Sequence, residues 1–416
     1  MTYSAISFFR NIFFIFFAII FSGCTHLANK ADTNHECGYF AATYRNSNIK
    51  FDPETENRPS GRPALKILDL TDNGELVDRC QWSDVLYEVQ GNYKKNPLID
   101  RPKFVVFYIH GWKHNASKDD TDLAHFSDFI KRLNDLPNFK DKSDVIGIYI
   151  SWPGSSTTVP MVDNLTFWSR KSAADRASAV ANVSKLISSV ASIKSQRKNN
   201  QDFILSIGHS FGARILFSAV SPLLLHEMQV RHPGIRGGSY GKIDGVVDLT
   251  LLLNPAFEAS RYSAFDATRR WQEKFNFSQQ PLLLTISTSN DFATKLAFPV
   301  GQTIGFRIDE RERTTLGNYD EYISHRLVLR DREDHNISAC TWYDDFCTNN
   351  LCLSRMNHVA QPGNPFLVAR TDGAILDGHN GIWVPSFQDW LVSFVTQAVE
   401  KRRVAAKDIS GKCDQN

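Results

Sequence analysis

Gly208-His209-Ser210-Phe211-Gly212 constrains this chain more than any other segment. Before it, residues 203–207 (Phe-Ile-Leu-Ser-Ile) form a short apolar run suited to a strand, and after it residues 213–220 read as a buried helix. A serine on a tight strand-to-helix turn has its hydroxyl thrust out of the sheet. The two glycines leave room for the turn, and the helix start brings backbone N–H groups beside the hydroxyl. The pentapeptide alone also arises as a plain glycine turn. The flanking strand and helix signals make Ser210 a candidate nucleophile.

The same alternation continues on both sides. Residues 104–109 (Phe-Val-Val-Phe-Tyr-Ile) and 145–150 are continuous apolar runs, as central parallel strands are. Residues 122–133 and 172–193 carry apolar side chains at helical spacing, the second stretch rich in Ala and Ser. Residues 246–253, 282–286 and 365–370 read as later strands, and Ser386 as the cap of a last helix. Upstream, residues 65–70 and 75–78 flank Asn73-Gly74 and predict a hairpin, with a helix following at Trp82, Val85, Leu86 and Val89. Strands alternating with helices predict an α/β class: a mostly parallel sheet covered by helices on both faces. Residues 300–364 break the rhythm with charge clusters and three cysteines, and predict an insertion forming a stapled rim or lid over the strand ends.

Formal net charge is +2, and no long basic stretch interleaved with aromatics occurs, so nucleic acid is not an expected partner. The first residues are a targeting segment. Arg10 precedes an apolar run over residues 12–21 that is too short for a comfortable membrane span. The run ends in Phe21-Ser22-Gly23-Cys24, which resembles a bacterial lipobox. That resemblance implies removal of residues 1–23, a lipid on Cys24 and a membrane-bound protein in the cell envelope. Thr25, with no Asp there, implies outer-membrane sorting, facing the periplasm. The other reading is an ordinary signal peptide or an uncleaved anchor. Residues 24–63 read as a tether and irregular extension, and 406–416 as a tail. Cys37, Cys80, Cys340, Cys347, Cys352 and Cys413 remain, an even set compatible with disulfides in an exported chain. Cys340, Cys347, Cys352 and His358 could instead bind a metal, but they lack the tight paired spacing of structural zinc sites. No metal is expected.

A serine needs a base to take its proton, and the base needs an orienting group. Such partners belong on loops after later strands, in the order serine, acid, histidine. Asp291, in Ser287-Thr288-Ser289-Asn290-Asp291, is the expected acid, with Glu258 after the preceding strand as its competitor. Each could equally be a solvated loop carboxylate. His379, in Asp377-Gly378-His379-Asn380-Gly381, is the expected base; His325 and His358 lie in the insertion, and His209 cannot bend back onto Ser210. The backbone N–H of Phe211 and a donor from His110-Gly111-Trp112 are candidates for the oxyanion hole.

Together these motifs resemble the α/β-hydrolase family over roughly residues 100–405. Ser151-Trp152-Pro153-Gly154 adds a likeness to a little-characterised bacterial branch. The resemblance implies an α/β-hydrolase domain over residues 64–405 and a triad of Ser210, His379 and Asp291. It also implies hydrolysis of a small acyl-ester or lipid substrate, and no cofactor. Because a single His-Gly stands here, it implies Trp112 N–H as the second oxyanion donor. Thioesterase, amidase and acyl-transfer chemistry share the triad. A non-catalytic envelope scaffold on the same fold is the alternative of a different class. Oligomeric state is not legible.

Overall fold

The structure, a computed structural model, describes residues 63–90, 101–117, 119–154, 167–197, 201–234, 239–270, 274–276, 278–291, 294, 309–330, 341–356 and 361–403. Residues 1–23, Cys24, Cys37, Cys340, His358 and Cys413 lie outside this set, as do the tether up to residue 62 and the tail.

Among the described residues, ten strands form one sheet. They are β1 (Ala64–Asp69), β2 (Lys103–Ile109), β3 (Asp144–Ser151), β4 (Phe203–His209), β5 (Leu249–Leu253), β6 (Leu283–Thr288), β7 (His325–Leu329), β8 (Asp345–Cys347), β9 (Leu351–Arg355) and β10 (Phe366–Thr371). Eight helices accompany them: α1 (Arg79–Gln90), α2 (Thr121–Asp135), α3 (Phe167–Ala179), α4 (Asn182–Gln196), α5 (Phe211–Arg231), α6 (Ser263–Arg270), α7 (Glu310–Arg313) and α8 (Pro385–Arg403). Strand order is β1-β3-β2-β4-β5-β6-β10-β7-β9-β8, parallel from β1 through β7, with β9 and β8 as an antiparallel margin.

A parallel sheet must be covered on both faces. Successive side chains of β2 divide accordingly. Phe104, Val106 and Tyr108 enter the core beneath α2 and α8, with Phe126, Phe129, Trp390 and Phe394. Val105, Phe107 and Ile109 enter the opposite core, with Ile215, Leu216 and Phe217 of α5. That division positions the site. The chain leaves β2 toward one face and leaves its neighbour β4 toward the other. Where adjacent strands send their connections to opposite faces, a crevice opens at their carboxyl ends.

Several expectations are corrected. Asn73-Gly74 does make a tight turn, with Gly74 at φ +76, and the return leg pairs only briefly: Leu76 bridges Leu70 antiparallel, Thr71 N donates to the Glu75 carbonyl at 2.8 Å and Val77 N to the Asp69 carbonyl at 2.9 Å, with no strand assigned there. Along its length β1 pairs in parallel with β3, so the hairpin extends no further than this turn. The expected helix over 172–193 is two helices, broken at Ala181, which is left-handed at φ 60. The cause is tertiary: Asn182 Nδ2 donates to the Gly74 carbonyl at 2.7 Å, and the Ala177 backbone leaves no room for a side chain at Gly74. β5 begins at Leu249, later than expected, and α8 begins at Pro385, so Ser386 lies inside the helix.

The described part of the insertion divides in two. Residues 314–318 pack on the strand-end loops, where Leu316 N donates to the Phe257 carbonyl at 3.2 Å and Asn318 Nδ2 donates to Thr294 Oγ1 at 3.2 Å. The three strands, by contrast, form no rim: β7, β9 and β8 extend the edge of the sheet beyond β10. Cys347 and Cys352, directly opposite on β8 and β9, form a disulfide that pins this hairpin. Cys347 and Thr348 line a groove with Leu136, Pro137 and Val392. Leu136 follows the far end of α2, a 15-residue helix that carries the chain about 22 Å away from the strand ends. The staple therefore braces a flank. Cys80 is also disulfide-bonded.

Candidate active site

Ser210 stands between β4 and α5 at φ 56, ψ −120. A non-glycine residue held there is strained by about 1–3 kcal/mol and persists only where its surroundings fix it. Three hydrogen bonds do so. Ser210 N donates to the Leu253 carbonyl at 3.0 Å, and the Ser210 carbonyl accepts from Ala256 N at 3.1 Å and Arg214 N at 3.4 Å. Gly212 supplies the clearance, since a Cβ there would lie 2.2 Å from the Ile109 carbonyl oxygen.

The loops after β6 and β10 bring the other two residues to this hydroxyl. Ser210 Oγ lies 2.6 Å from His379 Nε2, and His379 Nδ1 lies 2.6 Å from Asp291 Oδ2. With Nδ1–H donating to the carboxylate, Nε2 is left as the acceptor for the serine proton. Asp291 is fully buried, and its second oxygen accepts from Thr294 N at 3.1 Å. Burial opposes its ionisation, but the attraction of His379 and the Thr294 hydrogen bonds outweigh it and hold the carboxyl below its usual value. Asp291 is therefore ionised at neutral pH.

The loop after β2 closes the third side. Gly111 sits against the elbow so tightly that a Cβ there would fall 2.9 Å from Ser210 Cβ. His110 and Trp152 hold this loop. The Trp152 N–H donates to His110 Nε2 at 3.1 Å, its indole N–H donates to the His110 carbonyl at 2.9 Å, and the rings stack at 5.8 Å. Burial pushes the His110 pKa down to about 4, so the ring stays neutral and able to accept. Gly154 N donates to the His114 carbonyl at 3.2 Å, and Lys113 N to the Gly154 carbonyl at 3.0 Å. The Ser-Trp-Pro-Gly segment thus has a physical task, to brace the His-Gly-Trp loop. Phe211 directly follows Ser210 and opens α5, and Trp112 directly follows Gly111, the residue packed against the elbow.

The competing candidates lie elsewhere. Glu258 is bound by Arg214 and Lys171, each at 2.8 Å, and by Arg261 at 3.2 Å. His325 sits on β7, bonded to Ser324 Oγ at 2.9 Å, and burial pushes its pKa down to about 3. No group of three metal-ligating side chains occurs among the described residues.

Two residues escaped the sequence reading. His209 donates through Nε2 to the His379 carbonyl at 2.9 Å, and Asn254 Nδ2 donates to the same oxygen at 2.8 Å. His209 was legible only as an elbow residue, and Asn254 only as part of the loop carrying Glu258. Neither contact has a local signal, because each partner is over a hundred positions away. Comparison with known protein families, with curated proteins and with solved structures finds no match.

Proposed function

We propose that this chain is a serine hydrolase of the α/β-hydrolase type that cleaves carboxylic esters through an acyl-enzyme. The observation that carries the reading is the unbroken relay from Ser210 Oγ through the His379 imidazole to the Asp291 carboxylate, with 2.6 Å at both links. Ser210 Oγ attacks the carbonyl carbon as its proton passes to His379 Nε2. The backbone N–H groups of Phe211 and Trp112 are the proposed donors to the developing oxyanion. Collapse expels the alcohol, which takes the proton from His379. Water, deprotonated by the same nitrogen, then attacks the acyl-enzyme and releases the acid and free Ser210. A scaffold role gives no reason to hold a serine at φ 56 against a half-buried histidine backed by a buried carboxylate.

A panel of p-nitrophenyl esters of increasing acyl length tests the reading. Ser210→Ala should stay folded and lose about 10⁴–10⁶ in rate. Undiminished turnover by folded Ser210→Ala protein would remove the nucleophile.

The envelope location is part of the proposal and rests on the sequence around Cys24. No helix among the described residues is long and apolar enough to cross a membrane. Metabolic labelling with a fatty acid should mark the wild type and spare Cys24→Ser; equal labelling of both contradicts lipid attachment.

A further inference from the structure

Asn254 directly follows β5, between the nucleophile strand and the acid strand. It is buried and left-handed at φ 44, a second strained non-glycine residue at these strand ends. An asparagine tolerates that conformation better than most residues, though at a cost. Its side chain faces two loops. Nδ2 donates to the His379 carbonyl at 2.8 Å and to the Gly378 carbonyl at 3.3 Å. Oδ1 accepts from Thr288 N at 3.0 Å, at the end of the strand that leads to Asp291. The far side of the same loop is held too, since Gly378 N donates to Asn290 Oδ1 at 3.1 Å.

His209 adds the second donor on the His379 carbonyl, at 2.9 Å. Its other nitrogen finds no hydrogen-bond partner among the described residues and faces Gly111, where a Cβ would come within 2.7 Å of it. The backbone of the catalytic histidine is therefore fixed from two sides by buried neutral donors.

We propose that Asn254 is the positioning residue of this site: one amide ties the base loop to the acid loop and sets the His379–Asp291 contact, with His209 as its second anchor. A carboxamide suits this task because it offers a donor and an acceptor on one rigid plane. Neither atom touches the reacting centre, so Asn254 acts through His379. The catalytic consequence rests on the hydrolase reading; the clamp itself does not.

Two variants of the full chain separate the clamp from the backbone. Asn254→Gly adopts φ 44 without strain but has no amide, and Asn254→Ala lacks both. Two readouts follow: kcat and KM on a p-nitrophenyl ester, and the low-field proton resonance of His379 Nδ1–H, assigned by its loss in His379→Gln. Both variants should displace or broaden the resonance and lower kcat about 100-fold, with KM little changed, as a small misplacement of a catalytic group does. In an Asp291→Asn background, Asn254→Gly should cost far less, because the contact it sets is already broken. Should Asn254→Ala fail to fold, His209→Ala removes the other donor and should show a smaller loss of the same kind. Recovery of wild-type kcat and resonance by Asn254→Gly would overturn the proposal, leaving Asn254 a turn residue only. A wild-type protein that hydrolyses no ester contradicts the hydrolase reading separately, and the resonance still decides the clamp.

Discussion

Asp291 and Glu258 are both buried carboxylates just beyond strand ends, yet their surroundings give them opposite tasks. Asp291 faces one histidine and a backbone N–H, so its charge is directed at the relay. Glu258 faces Arg214, Lys171 and Arg261 and is spent on joining α3, α5 and the segment after β5. Asp291→Asn should remain folded and lose about 10⁴ in kcat, because a neutral amide no longer holds the imidazole tautomer. Glu258→Gln should keep most activity in the folded fraction and lose roughly 3 kcal/mol of stability, since it leaves buried cations short of a partner. The pH dependence has a definite sign. Burial resists the Glu258 charge, but Arg214 and Lys171 overcome it and depress its pKa in the folded state. Its stabilisation is therefore present above the unfolded value of about 4.3 and is lost as pH falls below it. Thermal unfolding from pH 6 to pH 3 should show a steeper loss for the wild type than for Glu258→Gln. Parallel curves, or an inactive folded Glu258→Gln, would reverse the two assignments.

At the scale of elements, what the sequence disclosed followed from local physics. β2, β3 and β4 announce themselves as apolar runs because both faces of a parallel strand are buried, and α2 by its apolar spacing. The elbow was legible because its glycines, its serine and its flanks are contiguous. The break at Ala181 was not, since alanine favours a helix and the interruption is imposed by Gly74 and Asn182 packing from afar. The hairpin was read too long for the converse reason. Asn73-Gly74 specifies the turn, while the pairing of β1 is settled by β3, far along the chain. The relay was legible as residues after strand ends, but its geometry depends on Asp291 and His379 closing over 88 positions. The elbow itself makes a sharp prediction. Gly212→Ala would set a Cβ 2.2 Å and 2.4 Å from the backbone oxygens of Ile109 and His110, neither of which can yield without separating β2 from α5. Gly378→Ala meets open space and carries only the strain of φ +67, about 1 kcal/mol. Melting curves should show a much larger loss for Gly212→Ala; a wild-type melt for that variant would contradict the described elbow.

Across the whole molecule, strand order does the assembling. β4, β6 and β10, which deliver serine, acid and histidine, lie within four neighbouring strands, with β5 between the first two and Asn254 at its end. β2 on the other side of β4 delivers the Gly111 loop, and its connection departs to the opposite face. The elements beyond β10 lengthen the sheet and brace α2 and α8 without reaching this cluster, as the Phe346 ring packed on Trp390 and Phe394 indicates. The central claim is that this assembly activates one serine. The most direct measurement is the intact mass of the folded full chain after exposure to a fluorophosphonate. The account predicts a single adduct per chain, mapped to Ser210, absent in Ser210→Ala and greatly slowed in Asp291→Asn. A folded wild type that takes no adduct, or an adduct that persists in Ser210→Ala, would contradict it.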